Sequence, residues 1–485
     1  MTAKKVGIVG TGMGSLSAAA ILTKRDIPVE MFEQNWLPGG CASSYPRKHV
    51  IYESGATTLV GAGKGMPLQK VLDITGIEIP LIQLQTPMKV ILKDGTTITR
   101  HADPEAWISE AEKIFGTKGQ RSFWNECIKI SRFVWRASGR YTAFPFSKVT
   151  DILTTATCTR FQDIPYLRYS FISVQDLLKK HGLDRNEEFI EFCNEQLIIS
   201  AQNHCHDVNA LFGATALCYT NVPNYYVPGG MIEMVKAFTK FIEDHGGIIR
   251  LRTGVESIRR DGNSYLFQTE GGTYQFPYVI GGIPINNLYT ISDIHLQKPL
   301  KQSLMLPENL YSAFTMGISL RTASTDECIH TQIHIPEDLL PFGSGSLFIS
   351  RSAPGDSLRT EANKQVLSVS THIRNPHIQA PIDKTEAENR VISYLHDKKI
   401  LNRDDIEYYH SSQQKSWLKW TARAYGSVGG YPQQMHIKPW QMKDARWDQK
   451  GAYLCGDTVY PGQGIPGVAL SGFLATEKMR RDHGI

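Results

Sequence analysis

Val6-Gly7-Ile8-Val9-Gly10-Thr11-Gly12-Met13-Gly14-Ser15 decides the fold class of this 485-residue chain. Val6 to Val9 reads as a short buried strand, and Gly10 to Ser15 as a glycine-rich turn. Leu16 to Leu22 follows as a helix. Val29 to Phe32 reads as a second strand ending in Glu33. A strand–turn–helix–strand unit with glycines at the first turn predicts a Rossmann-like α/β domain that binds a dinucleotide. Gly10 allows the tight turn, and Gly12 lets the backbone approach a pyrophosphate. Ser15 is small enough to stand where a third glycine usually permits close helix–strand packing. The helix N-terminus offers free N–H groups and a partial positive charge to phosphates. Glu33 can accept hydrogen bonds from ribose hydroxyls, which favours FAD or NAD over NADP. Thr11, Met13, Gly14 and Gln34 flank these positions and are assigned to the same site. A glycine-rich structural turn without a ligand is the alternative.

The next residues select FAD. Pro38-Gly39-Gly40-Cys41-Ala42-Ser43-Ser44 offers a second close backbone approach, with hydroxyls to serve a diphosphate. Gly40, Cys41, Ala42 and Ser43 are therefore expected at the cofactor. Tyr52-Glu53-Ser54-Gly55-Ala56-Thr57 follows. A nicotinamide-binding domain needs no such second loop. Gly343-Ser344-Gly345-Ser346 lacks the spacing and the following helix of a second fingerprint, so no internal NAD(P)H domain is expected.

With these motifs the sequence resembles the carotenoid desaturase and carotenoid isomerase family, which includes phytoene desaturase-like enzymes. Retinol saturases and flavin amine oxidases are wider relatives. Val227-Pro228-Gly229-Gly230-Met231, Gly254-Val255-Glu256 and Tyr278-Val279-Ile280-Gly281-Gly282 extend the likeness through the middle of the chain. At the C-terminus stand Gly451-Ala452-Tyr453-Leu454-Cys455-Gly456-Asp457 and Pro461-Gly462-Gln463-Gly464-Ile465-Pro466-Gly467-Val468, with a helix expected from Ala469 to about Arg480. The resemblance implies that the backbone of Val255 meets adenine and that Gly281 closes the sheet near the dinucleotide. It implies that Gly456 and Asp457 meet the ribityl and phosphate part of FAD. It also implies that Gly464, Ile465, Pro466 and Val468 present a helix N-terminus to the flavin. An anion formed by flavin reduction would be stabilised there.

The flavin motifs are far apart in sequence, so a discontinuous FAD-binding domain is expected at 1–85, 225–290 and 425–485. The insertions 86–224 and 291–424 are expected to build an α+β substrate domain. Met88 to Leu92 and Thr96 to Thr99, joined through Asp94-Gly95, read as a hairpin. Phe123 to Trp135, Val174 to Lys180 and Glu187 to Ile198 read as helices. Leu367, Val369, Thr371 and Ile373 alternate as one face of a strand.

Composition narrows the function classes. Hydrophobic residues are 41% and charged residues 20%, which excludes a disordered or fibrous chain. A net charge of +5 is too mild for a nucleic-acid protein. Eight cysteines with no Cys-x-x-Cys pair fit a reducing compartment. The first strand begins by Val6 with only two lysines, Lys4 and Lys5, before it, so neither a signal nor a transit peptide is expected, and a cytoplasmic location is. From Lys118 to Lys180 eleven basic residues face four acids, with Phe123, Trp124, Phe133, Trp135, Tyr141, Phe144 and Phe146 interleaved. This suits peripheral docking on an anionic membrane; a solvated helical face over an ordinary core is the alternative. His204-Cys205-His206-Asp207 would set both histidines on one face of a strand, but no third ligand is apparent and no metal is expected. Cys41 and Cys455 sit beside cofactor loops, with small buried residues as the default reading. Trp420 to Pro432 either faces the isoalloxazine ring or forms a structural turn.

The expected activity is FAD-dependent desaturation, saturation or cis–trans isomerisation of a carotenoid or related polyene or isoprenoid lipid. No catalytic side chain is assigned. A flavin oxidase of a small amine or amino acid is the alternative enzyme. A prenyl-binding protein of the GDP-dissociation-inhibitor type is the non-enzymatic one.

Overall fold

The computed structural model describes residues 4–376 and 383–485. Val6–Val9 is a four-residue strand buried throughout, and a strand buried on both faces belongs in the middle of a sheet. It pairs in parallel with Val29–Phe32 on one side and Tyr278–Gly281 on the other. Ile248–Arg250 and Ala452–Leu454 extend this five-stranded parallel sheet at its two edges. The strands come from three separate stretches of chain, so the sheet assembles only when distant segments meet.

Two helices cover one face. Met13–Lys24 starts three residues before the sequence suggests, because Gly12 is the extended residue that precedes its first turn. The last helix, Ile465–His483, likewise begins at Ile465 rather than at Ala469. Gly464, at φ 82°, turns the chain into it, and Pro466 sits in the first turn, where its missing N–H costs nothing. A side chain at Gly472 would collide with the Gly14 carbonyl, so the two helices touch backbone to backbone.

Val255–Asp261, Ser264–Thr269 and Gly272–Phe276 form an antiparallel three-stranded sheet, turned at Gly262 with φ 59°. A larger seven-stranded sheet runs in the order Ile406–Ser412, Tyr311–Leu320, Gln365–Arg374, Ser346–Arg351, His330–His334, Met88–Ile91, Thr97–Arg100. The hairpin expected at Met88 forms its edge. Leu367, Val369, Thr371 and Ile373 alternate inward as their spacing predicts.

Helices Pro104–Phe115, Gln120–Ser138, Val174–Lys180, Glu187–Ala201 and Ala210–Leu217 pack beside this sheet around Trp107, Trp124, Phe189 and Phe192. Arg100 is buried among them. Its guanidinium stacks over Trp107 and donates to Gln196 Oε1 at 2.6 Å and Thr220 Oγ1 at 2.9 Å. Phe123 and Trp124 are thus core residues, not the exposed aromatics that the docking expectation placed them among. Several cations of that stretch are also paired: Arg121 with Glu105 and Glu112, Arg140 with Asp163, Lys148 with Asp482, and Lys180 with Glu126.

His204-Cys205-His206-Asp207 is a turn after the helix Glu187–Ala201, not a strand. Cys205 is buried there, and His206 pairs with Asp207 at 2.9 Å. Among the described residues no group of three His, Cys, Asp or Glu is placed to hold a metal ion. All eight cysteines are free. No helix among the described residues is long and apolar enough to cross a membrane.

Candidate functional site

The first turn is shaped by space as much as by torsion. Gly10 has φ 85°, and a side chain there would press on Ile283 Cγ2 at 2.8 Å. Gly12 has an ordinary φ of −60°, but among the described residues beyond its own chain neighbours no atom lies within 4 Å of where its Cβ would stand. That open cradle lies at the N-terminus of Met13–Lys24, where unpaired N–H groups attract an anion. Ser15 lies behind the cradle, buried, with its Oγ 3.8 Å from Cys455 Sγ. A side chain at Gly282 would collide with Ser15 Oγ. The glycine expected at position 15 has in effect moved across the interface to 282. Gly14 is also constrained, since a Cβ would come within 3.0 Å of Gly456 N.

Glu33 ends the second strand beside the cradle. Its Oε2 accepts from the Thr11 N–H at 3.1 Å and the Thr11 hydroxyl at 2.6 Å, and its Oε1 from the Asn35 N–H at 2.9 Å. The carboxylate is therefore held in one orientation with lone pairs to spare. Gln34, Gly254 and Val255 line the cavity next to it.

The second loop faces the first. Gly39 and Gly40 have φ 100° and 57°, and Gly39 N–H donates to Thr11 O at 3.0 Å. Cys41, Ala42 and Ser43 continue the cavity wall. Burial pushes the Cys41 thiol up, against the opposing field of Arg423, so it stays protonated. Glu53 does not line the cavity. It is an anchor: it accepts from Ser44 Oγ at 2.5 Å, from the Met231 N–H at 3.3 Å, and pairs with buried Arg359 at 3.3 Å. The motif Glu53-Ser54-Gly55 thus ties the helix Met231–Asp244 and the second insertion to this loop.

The C-terminal loops close the site. Gly456, at φ 113°, donates through its N–H to Ser471 Oγ at 2.8 Å. Asp457 pairs with Arg423 at 2.9 Å. Sequence reasoning flagged the stretch around Arg423 but not the residue, because its partner lies 34 positions on. Arg423, Val428 and Gly429 line the cavity, whereas Tyr425 points to solvent at a turn. Gly464, Ile465, Pro466 and Val468 bring the last helix N-terminus to the wall. Gly281 does not reach it. It packs in the sheet against Leu288 and Trp447, and Gly282 lines the cavity instead.

These loops share one cavity of about 1330 Å³. A single small-molecule site occupies roughly 300–1,000 Å³, so there is room for a dinucleotide and a second ligand. Away from the glycine loops the walls are apolar: Phe133, Trp135, Phe144, Phe212, Phe348 and Trp417 contribute. His372 and His410 also line it, each pushed down to about 4, chiefly by burial, and so neutral near pH 7. Ile152 and Leu167 line its mouth and are half exposed.

The residues fit FAD. The open Gly12 cradle, the facing Gly40 loop, the oriented Glu33 carboxylate and two helix N-termini meet at one cavity large enough for a dinucleotide.

Known proteins agree with this geometry. The family described as flavin containing amine oxidoreductase matches residues 16–480. Prolycopene isomerase 1, chloroplastic, of an Oncidium hybrid cultivar is 22% identical over 99% of this chain and 84% of its own length. A 1-hydroxycarotenoid 3,4-desaturase of a Flavobacterium strain is 20% identical over 96% of this chain and 97% of its own. In structure, a putrescine oxidase superposes with a TM-score of 0.67 at 12% identity, covering 99% of both chains.

Proposed function

The chain belongs to the flavin-containing amine oxidoreductase family and is an FAD-dependent oxidoreductase, and from that premise we propose that its substrate is a carotenoid or related polyene lipid. One observation carries this reading. One cavity is lined both by the dinucleotide loops and by a group of aromatic side chains, and its wall includes the exposed apolar residues Ile152 and Leu167, which we take as its mouth. Prolycopene isomerases and a carotenoid desaturase, related along nearly the whole chain, add support.

The mouth is built inside out. Of the helix Val149–Cys158 only Asp151 is buried, while Val149 is 74% and Leu153 63% exposed. Phe161, on the following turn, is 90% exposed. A helix that buries its aspartate and presents its aliphatics suits an apolar medium, not water. We assign this surface to docking on an anionic bilayer, from which a lipid substrate passes into the cavity. The division into an FAD-binding part (1–85, 225–290, 425–485) and a substrate part (86–224, 291–424) belongs to the same proposal. All strands of the parallel sheet fall in the first part and all of the seven-stranded sheet in the second.

When bound, FAD supplies hydride or electron transfer at an allylic or vinylic carbon of the substrate. The chain does the rest. Gly12 and Gly40 admit the diphosphate, and Glu33 holds a ribose. The N-terminus of Ile465–His483 stabilises negative charge brought beside it. The aromatic walls align an extended apolar chain and exclude water. Burial keeps His372 and His410 uncharged, so no ion in those rings disfavours a hydrocarbon.

The test is an absorption spectrum of the purified holoenzyme, then anaerobic mixing with lycopene-type polyenes in liposomes. Flavin bands that bleach with a two-electron product support desaturation or saturation. A cis–trans shift seen only with pre-reduced enzyme supports isomerisation. A spectrum that ignores every polyene and bleaches with a small amine sinks the polyene reading.

A further inference from the structure

The cavity contains a polar spot, built from two facing amides, that the reaction does not account for. Gln202 ends the helix Glu187–Ala201 in a left-handed conformation, φ 52°, and is 1% exposed. Its Nε2 donates to Val428 O at 2.8 Å, while its Oε1 has no partner among the described residues. Gln463 is in the same condition on the opposite loop: neither its Oε1 nor its Nε2 has a partner among the described residues. Both amides converge on Gly429, which has φ 73°. A side chain there would collide with the Gln202 amide and stand 3.1 Å from Gln463 Oε1. All three residues line the cavity. The glycine therefore keeps open a niche that two amides furnish.

Buried donors and acceptors left unpaired are costly, and a hydrocarbon bound over them would leave them so. Resting on the polyene reading, we propose that Gln202 and Gln463 form a subsite for an oxygen function, hydroxyl or carbonyl, on the substrate. A hydroxyl there donates to Gln202 Oε1 and accepts from Gln463 Nε2, satisfying both at once. The Val428 carbonyl, which can only accept, fixes the orientation of the Gln202 amide, and a flip of the Gln463 amide still offers one donor and one acceptor, so the chemistry recognised does not change. The enzyme then selects an oxygenated polyene over the hydrocarbon of the same skeleton. Gln202 comes from the insertion, and Gly429 and Gln463 from the stretch assigned to the FAD-binding part, so the niche lies where the two parts meet.

The experiment titrates the holoenzyme with β-carotene and with zeaxanthin, its dihydroxylated counterpart, in neutral phosphatidylcholine vesicles. Perturbation of the flavin absorption band reports binding. Zeaxanthin is expected to half-saturate at a concentration about tenfold lower, the value of one well-made hydrogen-bonding site. Gln463→Leu is the decisive variant, because its amide bonds nothing among the described residues. Gln202→Met is the second. Each is expected to shrink the preference below about threefold while FAD content stays at the wild-type value; Tm also stays in Gln463→Leu and falls in Gln202→Met, which loses the bond to Val428 O. Equal affinity of the wild type for both carotenoids overturns the proposal, as does a preference that survives both variants. Loss of FAD from the variants also overturns it, since the amides then serve the cofactor. A wild type blind to both carotenoids but responsive to small amines removes the polyene premise and the proposal with it.

Discussion

At the scale of single residues, this site is made by what is missing. Gly12 needs no unusual torsion, so its value lies in the empty volume where a Cβ would stand. Gly12→Val fills that cradle without disturbing the strand before it. Overpacking of this kind costs about 1–3 kcal/mol, so FAD affinity is expected to fall about ten- to a hundredfold. Flavin absorbance of the purified variant, titrated with FAD, measures it. A variant that retains stoichiometric FAD at wild-type affinity would place the diphosphate elsewhere. The exchange between Ser15 and Gly282 follows the same logic. The sequence shows a fingerprint with a serine in its third position. Only the packed structure shows that the lost glycine reappears just past the strand Tyr278–Gly281, 267 residues away, to give Ser15 Oγ its room.

At the scale of elements, the inside-out helix Val149–Cys158 is fixed by one buried cation. Arg446 binds Asp151 at 2.7 Å and Asp482, on the last helix, at 2.5 Å, with Asp444 nearby at 3.6 Å. Burial raises the Asp482 carboxyl, but Arg446 and Lys148 outweigh it and hold it down to about 2. Asp151 is lowered in the same way. A carboxylate held below its unfolded value near 3.8 contributes stability that is complete above about pH 4. That contribution is lost as pH falls toward 2. For Asp482 alone it is about 2 kcal/mol. Thermal melts between pH 5 and pH 3 are expected to show a Tm that declines with acid. In Arg446→Met the buried carboxylates lose their partner, at a cost of about 3–5 kcal/mol at pH 7. The same variant is expected to melt with less acid dependence, because carboxylates without their cation are no longer held low. An unchanged acid slope would separate the cluster from the stability of the helix.

At the scale of the whole molecule, the apolar mouth, the aromatic chamber and the dinucleotide loops lie along one route. If the mouth docks on lipid, Leu153→Glu and Phe161→Glu each remove a large side chain from the bilayer. Burying such a side chain is worth about 1.5–3 kcal/mol, so partitioning to phosphatidylserine-containing vesicles is expected to fall about tenfold or more. Co-sedimentation with vesicles reads this directly, and salt is expected to weaken the remaining attraction. Equal sedimentation of both variants and wild type would leave the exposed patch without a bilayer partner. FAD content is the internal control, since neither residue touches the glycine loops.

Local chemistry was legible in the sequence because it is written in neighbours. Strand, turn, helix and terminal acid between Val6 and Glu33 follow from periodicity, glycine torsion and an acid in register, all within 28 residues. The Met88 hairpin and the Gln365–Arg374 strand were legible for the same reason: a period of two and a turn signal are local. The starts of two helices were misplaced by three or four residues, because glycine and proline at a first turn resemble loop until the preceding residue's torsion is known. The basic, aromatic stretch from Lys118 was legible only as composition. Whether Phe123 and Trp124 face a core or a membrane depends on what packs with them, and four other helices share their cluster. The pairing of Arg423 with Asp457, the anchoring of Glu53 by Arg359, and the convergence of Gln202 and Gln463 on Gly429 unite residues far apart in the sequence. The sequence by itself determined that this chain binds a dinucleotide in an α/β domain, since that depends on contiguous backbone geometry. The tertiary structure alone decided the shape, the polarity and the opening of the chamber beside it, because burial belongs to surfaces that meet only after folding.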